Sequence, residues 1–218
     1  MIRPSGEFYD DRVTTNSFRS AVLRNGVVIG DPLRAVLGFV AARWDAGAGD
    51  LWRPASFGEP DLRLANRDGA RISAAQIAAI LERRHAIERC LREISPHASL
   101  VEAANSVPWL PLRQLFDAFA DIRGVGFSKM TKALYRKRPA LIPILDSIVQ
   151  KYLEDDDPGA QAPFGERALG LVRGYKRDLD RNQGAVQTVR QELARRSYEL
   201  TEVRILDLLI LYATAPVS

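Results

Sequence analysis

A mainly α-helical protein is the fold class the sequence predicts, and three observations predict it. Apolar residues recur at three- and four-residue intervals through several long stretches, which is the spacing of one helix face. Helix-start signals open most of those stretches. Extended-chain signals are confined to one short piece between turn residues. The expectation is about eight helices, forming a helical domain over residues 71–218 with a less regular portion, residues 1–70, packed on it.

The elements follow in order. "NGVVIGDP" reads as a short extended piece, the edge of a small hairpin. Asp31-Pro32 opens a helix, with the acid as N-cap and proline at the first helical position. Its apolar face is Leu33, Val36, Leu37, Val40 and Ala41, and "DAGAGD" stops it. Trp52, Pro54, Gly58, Pro60 and Gly69 predict an irregular loop over 51–70. Ser73 with Gln76 is a capping-box pattern ahead of one long helix to residue 94, with Ile77, Ile80, Leu81, Ile87, Cys90, Leu91 and Ile94 near helical spacing. Ser99 with Glu102 repeats the start signal. After Pro108, "LPLRQLFDAFADI" turns Leu112, Leu115, Phe116 and Phe119 inward. An acidic, turn-rich linker, "EDDDPGAQAP", precedes a long basic helix and then "AVQTVRQELARR". Thr201 caps the last helix, whose buried stripe is Val203, Leu206, Leu209 and Ile210.

Composition narrows the chemistry. With 46% hydrophobic and 27% charged residues, the 218-residue chain matches an ordinary globular protein. A single cysteine, Cys90, excludes an internal disulfide and a cysteine-held iron–sulfur or zinc centre. It lies in a helical stretch and reads as a small buried apolar residue. Two histidines, His85 and His97, are too few for a His-rich metal site, so neither metal nor cofactor is expected. "MIRPSGEFYDD" lacks the apolar run of a signal peptide, and "LDLLILYATA" is too short to span a bilayer. A cytoplasmic location with no membrane partner is the expectation. The net charge of +4 and pI of about 9.4 suit a polyanionic partner.

The most informative stretch is "DIRGVGFSKMTKALYRKRPALIPILDSIV", residues 121–149. Gly124 and Gly126 flank a small apolar residue, Val125, so the backbone reverses sharply between two helices. The amides opening the second helix then face outward, a ready site for a phosphate. Lys129, Lys132, Arg136, Lys137 and Arg138 follow with no acidic residue among them. Lys129, Lys132 and Arg136 share one helical face, and each phosphate they neutralise adds salt-dependent affinity. The first carboxylate after them is Asp146. It reads as the N-cap of a helix beginning at Ser147, and equally as an acid presented to a ligand.

"LFDAFADIRGVGFSKMTKAL" resembles a helix-hairpin-helix DNA-binding motif. The segment through Asp146 resembles the helix-hairpin-helix core of the endonuclease III-like DNA glycosylase superfamily (HhH-GPD), in which an aspartate follows the hairpin at near-fixed distance. Asp146 follows Gly126 by twenty residues and matches that spacing. "GVGFSKMTKALYRKRPALIPILDSIV" and "LTEVRILDLLI" more closely resemble an uncharacterised, largely actinobacterial domain family of unknown function, from about residue 60 onward. The glycosylase resemblance implies that Gly124, Val125 and Gly126 hold a DNA phosphate, that Ser128, Lys129, Lys132 and Arg136 add contacts, and that Asp146 is the catalytic acid. Three positions depart from its pattern: Arg123 replaces a proline, Met130 a small residue, and Ser128 the lysine of bifunctional glycosylase–lyases. The last departure implies a monofunctional enzyme, without a Schiff base.

Other residues carry weaker signals. Trp52, Trp109 and Tyr135 could stack on a base, with core packing the default for Trp109. Arg204 and Asp207, three apart in an apolar helix, predict a structural ion pair or a polar contact to the hairpin region. Asn66, Arg67, Asp68 and Arg71 read as a solvated loop, and residues 174–182 as a solvated mixed-charge face. Three functions stay open at this point: a monofunctional glycosylase-like enzyme, a non-catalytic DNA-binding module, and a helical protein-interaction domain whose hairpin is purely structural.

Overall fold

The structure, a computed structural model, describes residues 19–41 and 53–214. Among these, one two-stranded antiparallel hairpin, β1 (Ala21–Val22) and β2 (Val28–Ile29), precedes ten α-helices. The helices are α1 (Pro32–Ala41), α2 (Glu59–Arg67), α3 (Ala74–Glu82), α4 (Arg84–Glu93) and α5 (Trp109–Asp117), then α6 (Phe127–Leu134), α7 (Ser147–Tyr152), α8 (Phe164–Arg181), α9 (Gln183–Arg195) and α10 (Glu202–Thr214). The mainly helical class is as the spacing predicts. No helix among the described residues is long and apolar enough to cross a membrane.

The local start signals are realised where their bonds are local. Arg34 N donates to Asp31 Oδ1 (2.9 Å), Gln76 N to Ser73 Oγ (3.3 Å) and Arg204 N to Thr201 Oγ1 (3.2 Å). Gln76 Oε1 accepts in return from Ser73 N (3.1 Å), completing the capping box. The buried stripe of α10 contains all four residues expected there.

Several expectations yield to tertiary contacts. The stretch 51–70 is not loop throughout, because Gly58, with Pro60 and Asp61 in the first turn, starts α2. The helix expected over 73–94 is two, broken at Arg83 (φ −91°, ψ 2°). The break falls in the polar run Glu82–His85, which interrupts the apolar face between Leu81 and Ile87. Ser99 and Glu102 start no helix. The buried Lys176 ammonium donates to the carbonyls of Leu100 (2.9 Å) and Glu102 (2.8 Å), while Leu100 N donates to Ala140 O (2.9 Å). A helix would need those groups for itself.

Residues 174–182 are likewise no solvated face: Tyr175, Lys176, Asp178, Leu179 and Asn182 are buried. The β1–β2 hairpin lies against Asp178 and Asn182, while Tyr175 bonds to Val203 O and Lys176 to the carbonyls of Leu100 and Glu102. Asn182 pairs with both backbone groups of Val22, and Arg24 Nε donates to Asp178 Oδ2 (3.0 Å).

The core is one apolar cluster running from Ala21 to Ile210. Within it α8 packs on α5, α2 on α6, and α10 on α1, α7 and α9. The start of α8 approaches α5 closely: Gly165 N donates to Asp117 Oδ1 (2.8 Å), and a Cβ on Gly165 would lie 2.7 Å from Arg113 O. That oxygen is helix backbone and has nowhere to go. Gly165→Ala is therefore expected to lower stability by about 2 kcal/mol, read as a reduced midpoint in urea with an unchanged slope. A midpoint equal to wild type would contradict this packing.

Candidate functional site

The glycine corner connects α5 to α6. Gly124 has φ +74°, a conformation glycine adopts without strain. Val125 is buried and its amide donates to Ile122 O (3.0 Å), while Gly124 and Gly126 are exposed. Gly126 is the N-cap of α6 and brings no side chain to its first-turn amides.

Gln76 ties this corner to α3, a role that its part in the capping box does not signal. Its Nε2 donates to Arg123 O (3.2 Å), and its Oε1 accepts from Lys129 Nζ (2.8 Å). A Cβ on Gly124 would lie 2.6 Å from that Nε2 and would push the Gln76 amide off Arg123 O, so φ is what requires glycine here while the close approach secures the tie.

The basic stretch is more engaged than a solvated stripe. Lys132 Nζ reaches Gly69 O (3.4 Å), Arg136 pairs with Asp68 (3.1 Å) and Lys137 with Asp61 (2.7 Å). Arg138 is only 1% exposed. Its five N–H groups make five bonds to backbone carbonyls. Nε donates to Ile94 O (3.1 Å), Nη1 to Pro54 O (2.8 Å) and Lys137 O (2.6 Å), and Nη2 to Ile94 O (2.6 Å) and Leu91 O. Leu91 and Ile94 sit at the C-terminus of α4, so this cation caps a helix end. Burial pushes the Arg138 guanidinium down to about 10.

Asp146 is the N-cap of α7: its Oδ1 accepts from Ile148 N and Val149 N, both at 3.0 Å. No hydrogen bond reaches its Oδ2 among the described residues. The segment leading to it is clamped from two sides. Thr131 Oγ1, on α6, donates to Phe127 O (2.8 Å) and accepts from Leu145 N (3.0 Å). Asp207 Oδ2, on α10, accepts from Ile144 N (3.3 Å).

Asp146 lines a cleft of about 550 Å³ where α2 and α6 face α7 and α10. Buried Tyr135, Ile144, Val149 and Asp207 form its base. Arg67, Asp68, Lys132, Arg136 and Arg204 supply the polar wall, giving four cations against three carboxyl groups. Asn66–Arg71 is thus structured rather than loosely solvated. Asn66 pairs with both backbone groups of Ile72, and Asp68 accepts from Tyr135 Oη (2.8 Å) and from Arg136.

Of the residues singled out in the sequence, Asp146, Lys132 and Arg136 meet in this cleft. Gly124, Val125, Gly126, Ser128 and Lys129 lie outside its lining, at the other end of α6 or in the corner before it. Tyr135 faces the cleft; Trp109 is structural, donating to Ala104 O (2.7 Å) under Arg173; Trp52 lies outside the described residues. Cys90 is buried, and burial pushes its thiol up.

Arg204 and Asp207 are the expected pair, at 3.6 Å. Asp207 is also a cleft residue, which its i, i+3 spacing does not reveal. Its side chain is buried, and its Oδ1 has no hydrogen-bond partner among the described residues. Burial, helped by Asp146, pushes its carboxyl up to about 7 against the opposing pull of Arg204, the Ile144 amide and Tyr175.

The sequence model of a family of unknown function (DUF6308) matches residues 38–213. The chain belongs to that family. The matched span includes α2 to α10 and with them every cleft residue. No curated protein and no solved structure matches the chain.

Proposed function

We propose that this member of the family binds DNA through the glycine corner between α5 and α6, and admits one extruded nucleotide to the adjoining cleft for monofunctional, glycosylase-like base excision at Asp146. One observation carries the reading. A carboxylate fixed by two amides, with no hydrogen bond to its second oxygen among the described residues, lines a nucleotide-sized cleft whose wall is the same helix that begins at the exposed glycine corner. Its volume of about 550 Å³ falls in the usual range for a small-ligand site. Cations beside the acid suit the phosphates flanking a flipped base. The helix-hairpin-helix resemblance of residues 115–134, and Ser128 in place of a lyase lysine, support the same reading.

Backbone amides and few available side chains predict binding without strong sequence preference. Duplex affinity is expected to fall with salt, and Lys129→Ala/Lys132→Ala to reduce the logarithmic slope by about two. A gel-shift salt series checks this, and a slope unchanged in the double variant excludes the corner as the DNA contact. Asp146→Asn keeps an oxygen for capping. It is expected to slow abasic-site formation on damaged duplexes by about 100-fold or more. The cap geometry of Asp146 fits a non-catalytic DNA-binding module equally. Absence of base release from wild-type protein that still binds duplex selects that second reading.

A further inference from the structure

Asp207 has no assigned role in this reading. The residue is 2% exposed, yet it lines the cleft that holds Asp146. The two oxygens differ. Oδ2 is held by the Ile144 amide (3.3 Å) and faces Arg204 Nη1 (3.6 Å), whereas Oδ1 has no hydrogen-bond partner among the described residues. A purely structural buried carboxylate has its lone pairs satisfied. This one belongs to a residue of the cleft lining and receives no hydrogen bond on Oδ1 among the described residues, with the Tyr175 hydroxyl, on α8 and outside that lining, also acting on the carboxyl.

Resting on the base-excision reading above, we propose that Asp207 is the general acid of the same cleft and protonates the departing base. Asp146 and Asp207 then divide the work as two carboxyl groups in unlike surroundings. Asp146 receives two amide donors on one oxygen, and its other oxygen, which accepts no hydrogen bond among the described residues, faces the positive charge that develops at C1′. Asp207, in its buried setting, carries the proton.

The groups around Asp207 are consistent with this role. Arg204 lies on its own helix, Tyr175 on α8 and Asp146 at the start of α7. Lys132, Arg136, Arg67 and Asp68 stand across the cleft. Where α9 packs on α10, Arg190 and Glu202 pair with each other (2.6 Å), and Arg34 of α1 is exposed. With its carboxyl pushed up to about 7, a large share of molecules hold the Asp207 proton at neutral pH.

The step balances with water as co-reactant. The C1′–N bond breaks and its electron pair goes to the base nitrogen. The Asp207 proton passes to the base. Water adds its oxygen to C1′ and releases a proton that restores Asp207.

The test compares wild type, Asp207→Asn and Asp207→Glu in single turnover, from pH 5 to 9. The substrates are duplexes carrying either a neutral damaged base or N7-methylguanine, whose positive charge lets it leave without an acid. Asp207→Asn is expected to lose about 100-fold on the neutral base and to lose the alkaline fall in rate above pH 7. It should keep N7-methylguanine release within about threefold and duplex binding unchanged, and Asp207→Glu should recover part of the loss. Equal losses on both bases, or no loss on either, overturn the role of Asp207 and leave Asp146 standing. No release from any duplex by wild type overturns base excision itself, and this role with it. Carbon-13 NMR of the free protein gives a readout besides turnover: a carboxyl titrating near neutrality should vanish in Asp207→Asn. An Asp207 signal that titrates near 4 overturns the proposal.

Discussion

Arg138→Ala is expected to destabilise the protein by about 4 kcal/mol or more, lowering its thermal midpoint by about 10 °C. Nothing in the stretch "YRKRPA" separates Arg138 from the four basic residues before it, yet it is the most deeply buried, and unlike buried Lys137, which pairs with Asp61, it bonds only to backbone carbonyls. Its fork ends on carbonyls of Pro54, Leu91, Ile94 and Lys137. Truncation leaves these acceptors dry and opens a cavity behind α4. Lysine offers three donors on one nitrogen and cannot span the same acceptors, so Arg138→Lys should recover less than half of the loss. Thermal melts followed by circular dichroism decide this. An alanine variant within about 1 kcal/mol of wild type would show that the carbonyls find other donors.

The second large effect depends on pH. Asp207 has its carboxyl pushed up to about 7 in the folded protein, against an ordinary value near 4. Between those limits the folded chain holds a proton that the unfolded chain has released, so stability falls as pH rises from about 4 to above 7. About three units correspond to a loss of up to about 4 kcal/mol. Asparagine does not titrate and still offers an oxygen to the Ile144 amide. The midpoint of Asp207→Asn minus that of wild type should therefore grow by about 6 °C between pH 5 and pH 8, where about 2.6 kcal/mol of that loss falls. A difference that stays constant across that range would show that Asp207 remains ionised throughout.

Helix starts were legible in the sequence because a cap is made within four residues. Asp31, Ser73 with Gln76, Asp146 and Thr201 all bond where their local patterns place them. The same local reasoning fails at Ser99, where Lys176, 76 residues away in sequence from Leu100, takes the carbonyl. It fails again at residues 174–182, whose charges look solvated until the β1–β2 hairpin is laid against Asp178 and the 100–102 segment against Lys176. Asp146 and Lys132 could be singled out in the candidate site because they follow a glycine corner. Asp207 could not, since an acid three residues after an arginine reads as an ion pair whether or not a cleft opens beside it.

The clamps on residues 144–146 have a consequence for selectivity. One hydroxyl, on Thr131, locks the acid's approach to α6, and one carboxyl, on Asp207, locks it to α10. Asp146 therefore cannot shift to meet a guest of a different shape. If the base-excision proposal holds, discrimination between guests falls to two long side chains of the cleft lining, Arg67 and Lys132, and exchanging those two would retune what enters without moving Asp146.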